Sequence, residues 1–265
     1  MIDREENFQL RERVEREIYA HEENDVLKNS YKLKRLFRHI ETCETAIRFE
    51  HDFKRELANV TGMRILEMGC GYGEESRALL KAGAYVVGID ISKKYILECR
   101  SAAARAGFSE ERYSFHVMDA HELSFAPESF DMVVGRGILH HLDLDVCLGE
   151  IRRVLRPGGR ALFHEPLGDN PLLKLFRIIT PGARTVDERP LTRRDLENIR
   201  HSWEIESSYY GLISAPLAIA TSILLRPFNN NVILRMGDRM EQWVNRKVIF
   251  QPFNQYVLLN LIRPK

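Results

Sequence analysis

The stretch Arg64-Ile-Leu-Glu-Met-Gly-Cys-Gly-Tyr-Gly-Glu-Glu-Ser76 restricts the folds open to this chain more than any other. It reads as a short apolar strand, a turn with glycines at 69, 71 and 73, and the start of a helix. Glycines there allow positive φ and let a ligand approach bare main chain. Strand, glycine turn and helix together form half of a βαβ unit, which commits a chain to a parallel sheet covered by helices.

The residues that follow keep to that plan. A helix over Glu74–Ala82 closes at Gly83, and Tyr85–Asp90 is a second strand. Ser92 is placed to N-cap a helix running to about Ala106, ended by Gly107. Tyr113–Met118 and the nearly all-apolar Phe130–Val134 are strands three and four. In the helix Asp143–Leu155, Cys147, Leu148, Ile151, Val154 and Leu155 share one face. Pro157-Gly158-Gly159 turns into a fifth strand, Arg160–Glu165. This rhythm predicts a doubly wound α/β, Rossmann-like sheet, mostly parallel, with helices on both faces.

The rhythm breaks after 166. A short helix is expected around Leu172–Ile179 and another from Arg193, capped by Thr192. Strands follow near Trp203–Tyr210 and at Tyr256–Ile262. Between these two strands lies an insertion that starts with the apolar stretch Gly211–Leu225, shorter than the roughly 20 residues of a membrane span. Residues 1–58 read as a helical extension. Arg and Glu interleave over Arg11–Glu17, as on a solvated helix with local ion pairs, and Val26, Leu27, Leu33, Leu36, Phe37 and Ile40 could pack this region onto a neighbour. Two domains are expected: 1–58, a plain extension or a cap over the site, and 59–265, with a substrate-covering insertion over about 166–250.

A net charge of +1 gives no overall drive toward nucleic acid. The four cysteines are scattered with no C-x-x-C, so neither a metal site nor a disulfide framework is signalled. Met-Ile-Asp-Arg-Glu-Glu is too charged for a secretory signal, so a reduced, cytoplasmic protein is expected.

The charge of the glycine turn selects its ligand. A dinucleotide pyrophosphate wants G-x-G-x-x-G and an acid-free helix start. Here the spacing is G-x-G-x-G, and Glu67, Glu74 and Glu75 surround the turn. Each carboxylate would oppose a nearby phosphate by about 1–4 kcal/mol. A cationic nucleoside without phosphate suits the turn, and S-adenosylmethionine is one. Candidate ligand groups then fall where doubly wound sheets bind, at the carboxyl ends of strands. Asp90 ends strand two, 17 residues after Gly73. Asp119-Ala120 follows strand three, and Gly135–Leu142 follows strand four.

This ordered set resembles the class I S-adenosylmethionine-dependent methyltransferases, in particular the branch with a ubiquinone/menaquinone-methyltransferase-like core that acts on quinones, lipids and other small metabolites. The resemblance covers roughly 60–165 and the final strands. It implies a seven-stranded sheet with an antiparallel last strand, Glu67 and Gly69 near the amino-acid moiety of the donor, Asp90 near its ribose and Asp119 near its adenine. Cys70, Gly71, Gly73, Ile91, Ala120 and Gly135 complete the expected cofactor-binding set.

His140 and His141, on the loop nearest the reacting methyl, are candidate bases, with His141 preferred. Glu165, ending strand five, is a candidate to orient a substrate hydroxyl or amine, or else a cap or a salt-bridge partner of a following arginine, whereas His164 alternates away from it and reads as structural. Arg184, Asp187, Glu188, Arg189, Arg193 and Arg194 form either a solvated ion-pair face or an anion site. Strand four is followed neither by the Asn/Asp-Pro-Pro-aromatic sequence that amino-directed nucleic-acid methyltransferases use nor by a Pro-Cys nucleophile, and Gly135-Arg136 offers no metal-binding carboxylate. A small organic acceptor is therefore expected, with no nucleic-acid partner; 211–225 either walls its pocket, packs in the core or touches a membrane peripherally. A protein or RNA methyltransferase and a non-catalytic binding module stay open, while Glu74 disfavours a nicotinamide oxidoreductase.

Overall fold

The computed structural model describes residues 4–22, 32, 35–180, 185, 187–225, 227–228 and 231–265; Val26, Leu27, Leu33 and Arg184 lie outside the described residues. Helices α1 (Arg4–Glu22), α2 (His39–Thr42) and α3 (Glu44–Glu56) come first. Then β1 (Arg64–Met68), α4 (Glu74–Lys81), β2 (Tyr85–Asp90), α5 (Lys93–Arg105), β3 (Tyr113–Val117), β4 (Phe130–Arg136), α6 (Leu144–Val154) and β5 (Leu155–Pro166) alternate. The chain continues through α7 (Pro171–Ile179), α8 (Arg193–Ser202), β6 (Glu204–Tyr210), α9 (Ser214–Leu224), α10 (Val232–Val244) and β7 (Tyr256–Ile262).

The seven strands form one sheet in the order β3-β2-β1-β4-β5-β7-β6. β1 to β5 run parallel, and β7 runs antiparallel to both of its neighbours. This is the expected doubly wound, seven-stranded architecture. The order reverses between β1 and β4, whose carboxyl ends meet at the Met68–Gly135 pair. A crevice opens at such a switch point because the following loops depart in opposite directions.

Strand parity divides the core into two layers. Leu66, Met68, Val87, Ile89, Val133 and Phe163 pack against α6 and α8. Ile65, Val86, Met132, Val134 and Leu162 face α3, α4 and α5. Phe53 of α3 is fully buried in that second layer beside Phe49 and Leu57.

Local chemistry sets the helix starts. The Ser92 hydroxyl accepts from Tyr95 N–H at 3.3 Å, and Thr192 and Asp195 form a capping box for α8. One boundary differs from expectation. Pro157-Gly158-Gly159 lies inside β5 as a bulge, since Phe130 pairs with Leu155 and Met132 already with Arg160.

The insertion packs onto the N-terminal helices. The apolar stretch 211–225 becomes α9, whose small face of Ser214, Ala215, Ala218, Thr221 and Ser222 is buried. Ser222 Oγ accepts from His39 N–H at 3.0 Å, and Thr221 Oγ1 lies 2.9 Å from His39 Nδ1. Glu241 of α10 is fully buried and caps α9, accepting from the N–H groups of Gly211 (2.8 Å), Ile213 (2.9 Å) and Ser214 (2.9 Å). Asp238 accepts from Thr45 at 2.7 Å and pairs with Arg48, tying α10 to α3. Among the described residues, no helix is long and apolar enough to cross a membrane.

Candidate active site

Gly69, Gly71 and Gly73 all adopt positive φ, at 68°, 48° and 72°. A Cβ on Gly73 would sit 2.8 Å from the Cys99 sulfur, so both conformation and space demand glycine. Glu74 and Glu75 open α4 at the edge of the turn. Behind it, Glu67 is buried and accepts a hydrogen bond from the Ser76 hydroxyl. Burial pushes the Glu67 carboxyl up to about 8, helped by the nearby Glu75 and Asp90 charges and opposed by the Ser76 bond. Cys70 is a buried thiol 3.6 Å from Cys99, and that contact together with burial raises its pKa. The turn therefore offers acids and bare main chain, which fit the ammonium and sulfonium ends of a cationic nucleoside and not a phosphate.

A cavity of about 130 Å³ lies beside the turn, lined by Asp90, Ile91, Asp119 and Ala120. Asp90 Oδ2 accepts from Gly71 N–H at 3.0 Å and its Oδ1 from Ser92 N–H at 2.9 Å, so each oxygen keeps a lone pair. Burial raises the Asp90 pKa against these two bonds. Asp119 Oδ1 accepts from both the backbone N–H and Nδ1 of His121, at 2.9 and 2.7 Å. Burial opposes ionisation of Asp119, but the His121 bonds outweigh it and hold this acid below its ordinary value. His121 Nε2 accepts from Asp143 N–H at 2.9 Å, which fixes the tautomer with the proton on Nδ1. Thus His121, which sequence reasoning did not single out, aims Asp119 and clamps the loop after β3 to the start of α6.

A second cavity of about 700 Å³ adjoins the first, and both are lined by Gly69, Gly71, Gly137, His21 and His141. Gly135 lies on its floor, where a Cβ would approach Ile138 and Phe163 within 2.6 Å. His140 and His141 both line it. Glu165 does not. It is fully buried behind the loop, accepting from Ile138 and Leu139 N–H at 2.9 Å each and from His140 Nδ1 at 2.7 Å. The expectation that Glu165 touches substrate is therefore corrected: its oxygens are taken up by the histidine loop. His164, expected to be structural, packs against the rings of Phe49 and Tyr256 and lines the large cavity.

The N-terminal helix contributes what its charge pattern conceals. Glu17, expected on a solvated face, is buried, with Oε2 3.3 Å from His141 Nδ1 and 3.5 Å from His21 Nε2. Thr185 donates to its other oxygen at 2.6 Å. Burial works against the charge, yet the bonds from His141 and His21 prevail and hold Glu17 well below the ordinary carboxylate value. Thr185 Oγ1, whose proton goes to Glu17, lies 3.3 Å from His141 Nδ1, an arrangement that suits a proton on Nδ1 and leaves Nε2 as the basic nitrogen. His140, His141 and Glu188 have ligand-capable atoms within 4.8 Å of one another, although each histidine already has its own carboxylate. Of the arginine and acid cluster, Asp187 pairs with Arg16 at 2.7 Å, Arg189 with Asp195 at 2.9 Å and Arg193 with Glu197 at 2.8 Å, the pattern of an ion-pair face.

Comparison with known proteins agrees with this geometry. Residues 66–163 match the family model described as a methyltransferase domain. The chain is 37% identical over 112 residues to a demethylmenaquinone methyltransferase of Clavibacter sepedonicus, covering 42% of this chain and 44% of that one. It is 34% identical over 120 residues to methyltransferase GfsG of Streptomyces halstedii, covering 44% and 43%. These alignments span less than half of the length of either relative. Among solved structures, Haemonchus contortus phosphoethanolamine N-methyltransferase 2 in complex with S-adenosyl-L-methionine superimposes with a TM-score of 0.62 at 19% identity, over 93% of this chain and 59% of that one, a likeness of fold. Residues 66–163 thus match the methyltransferase-domain family, and the sheet that carries them has the fold of that S-adenosyl-L-methionine complex.

Proposed function

We propose that this protein transfers a methyl group from S-adenosylmethionine to an oxygen, nitrogen or carbon of a hydrophobic or amphiphilic small molecule. The observation that carries the reading is the junction of the two cavities at His141, with an acid-rimmed glycine turn on one side and a roomy, partly aromatic space on the other. Relatives whose names give quinones and rifamycin as acceptors support a small-molecule acceptor.

In this reading Glu67, Gly69, Cys70, Gly71 and Gly73 hold the amino-acid end of the donor, Asp90 and Ile91 its ribose, and Asp119 and Ala120 its adenine; Gly135 keeps the floor low between them. The bound donor supplies an activated sulfonium methyl. The protein's tasks are then alignment, which is worth up to about 7–11 kcal/mol in well-oriented cases, and proton removal, worth roughly 10²–10⁴-fold. His141 takes the acceptor proton on Nε2 while Glu17 stabilises the resulting imidazolium. Glu165 is a positioning residue that sets His140 and the loop carrying both histidines. Helix α1 shields the donor from water, and residues from α3 and from the 166–250 region close over the acceptor.

The test is twofold. Isothermal titration should show S-adenosylhomocysteine binding with none for NADH. Transfer of label from methyl-tritiated S-adenosylmethionine should then be sought across quinols, phenols, polyketides and sterols, with protein and RNA as controls. Folded protein that ignores S-adenosylhomocysteine would sink the reading.

A further inference from the structure

The insertion between β6 and β7 displays apolar side chains that burial elsewhere does not explain. On α10, Val232, Ile233, Met236, Met240 and Trp243 are exposed, Trp243 by 68%. At 100° per residue they fall within an arc of about 100°. The opposite face of α10, with Leu234, Gly237, Asp238 and Glu241, is the one buried against the protein.

This division also sorts charge. Both acids of α10 point inward, Asp238 to Thr45 and Arg48 and Glu241 to the start of α9. The exposed side of the same segment carries Arg239, Arg246 and Lys247, and from Asn231 to Phe250 no exposed residue is acidic. An apolar stripe flanked by cations alone is the composition of a helix that lies in the headgroup layer of a membrane.

The surface continues on both sides. Val248, Ile249, Phe250 and Phe253 are exposed directly after α10, to which Asn254 ties them through Asn245 at 3.0 Å. Asn170, the N-cap of α7, donates to Phe253 C=O at 2.8 Å. Helix α7 exposes Leu172, Leu175, Ile178 and Ile179 and has no acidic residue, while its Leu173 and Phe176 line the 700 Å³ cavity. One side of α7 thus meets solvent with apolar groups and the other walls the acceptor space.

We propose that α7, α10 and residues 248–253 dock on an anionic lipid bilayer, with α10 lying in the interface and not crossing it. The 13 residues of α10 would reach about 20 Å, short of a hydrocarbon core of about 30 Å. Of 211–225, one candidate for membrane contact, only Ala220, Ile223 and Leu224 are exposed, so the contact surface is placed mainly on α7, α10 and 248–253. The inference does not depend on methyl transfer, because its assay contains neither donor nor acceptor.

The chain carries its own reporter. Of its two tryptophans, Trp203 is buried and Trp243 exposed, so Trp203→Phe leaves emission from Trp243 alone. With phosphatidylcholine vesicles containing phosphatidylglycerol, Trp243 emission should shift to the blue, brominated acyl chains should quench it, and the protein should float with the vesicles. Met236→Glu with Met240→Glu should abolish all three. Arg239→Gln, Arg246→Gln and Lys247→Gln should each weaken partition roughly fivefold, an effect lost in high salt. Far-ultraviolet circular dichroism and the urea midpoint, measured in each variant, check that the protein remains folded. The proposal is overturned by absent flotation, by equal partition onto phosphatidylcholine alone, or by a blue shift without vesicles that rises with protein concentration alongside a dimer mass in light scattering. That last result would assign the face to a second copy of this chain.

Discussion

Glu67→Gln should make the ligand-free protein more stable and the donor site weaker. Burial holds the Glu67 carboxyl at about 8 against an ordinary value of 4.5. Between these pH values the folded protein keeps a proton that the unfolded chain has lost, so stability falls as pH rises. The contribution is complete below pH 4.5 and gone above pH 8. At about 1.4 kcal/mol per pH unit, the interval has a ceiling of about 5 kcal/mol. Urea unfolding of ligand-free wild type and variant should therefore agree near pH 4.5 and diverge toward pH 8, with the glutamine form the more stable by several kcal/mol. Ligand binding reverses the preference, since the α-ammonium at the amino-acid end, shared by donor and product, favours the ionised carboxyl. At pH 7, S-adenosylhomocysteine should release about 0.9 proton from wild type and none from the variant, as read by titration calorimetry in buffers of different ionisation enthalpy. Affinity of wild type should climb nearly tenfold per unit between pH 6 and 7. Parallel stability profiles, or wild-type binding without proton release, would refute the assignment of Glu67 as a neutral acid awaiting a cation.

Other outcomes follow from the same geometry. Asp90→Ala should lower S-adenosylhomocysteine affinity about a hundredfold through the loss of charged acceptors for the ribose, with Asp90→Asn intermediate; unchanged affinity by calorimetry would contradict the ribose assignment. His141→Ala should cut methyl transfer by roughly 10²–10⁴-fold with cofactor affinity preserved, and Glu17→Gln should lower kcat with little change in KM. Phe53→Ala should destabilise the protein by about 3–5 kcal/mol in urea titrations, as a large cavity between α3 and the sheet requires. Glu241→Gln should cost about 3 kcal/mol and raise hydrogen exchange at the start of α9, where four donors converge on this carboxylate.

What was legible in the sequence was what the backbone alone decides. Asp90 and Asp119 end strands or begin the loops that follow them, and the parallel order of the sheet brings those ends together whatever the side chains around them do. The glycine turn was equally plain, because glycines at 69, 71 and 73 suit a bend built on positive φ and little else. The pairing of Glu165 with His140 was not, for it depends on the lateral register that sets Gly135 beside Phe163. Alternation along β5 showed that His164 and Glu165 point apart, yet parity cannot tell which side holds the cavity. Glu17 was hidden for another reason. A helix of interleaved Arg and Glu looks alike on every side, and only its docking over the switch point distinguishes one glutamate. The two-sidedness of α10 is similar, since the burial of Asp238 and Glu241 is set by partners in distant helices and leaves no mark on the helix's own composition.

The placement of β7 governs how this chain can be assembled. β6 leaves the ribosome first but, among the described residues, hydrogen-bonds to no strand except β7, which follows it by more than forty residues and wedges between it and β5. Until those last residues arrive, the nascent sheet carries an open rim on β5 while β6 waits as an orphan ribbon, both able to zip onto foreign strands. Synthesis interrupted ahead of Tyr256 should therefore yield a sticky product and not a smaller folded domain.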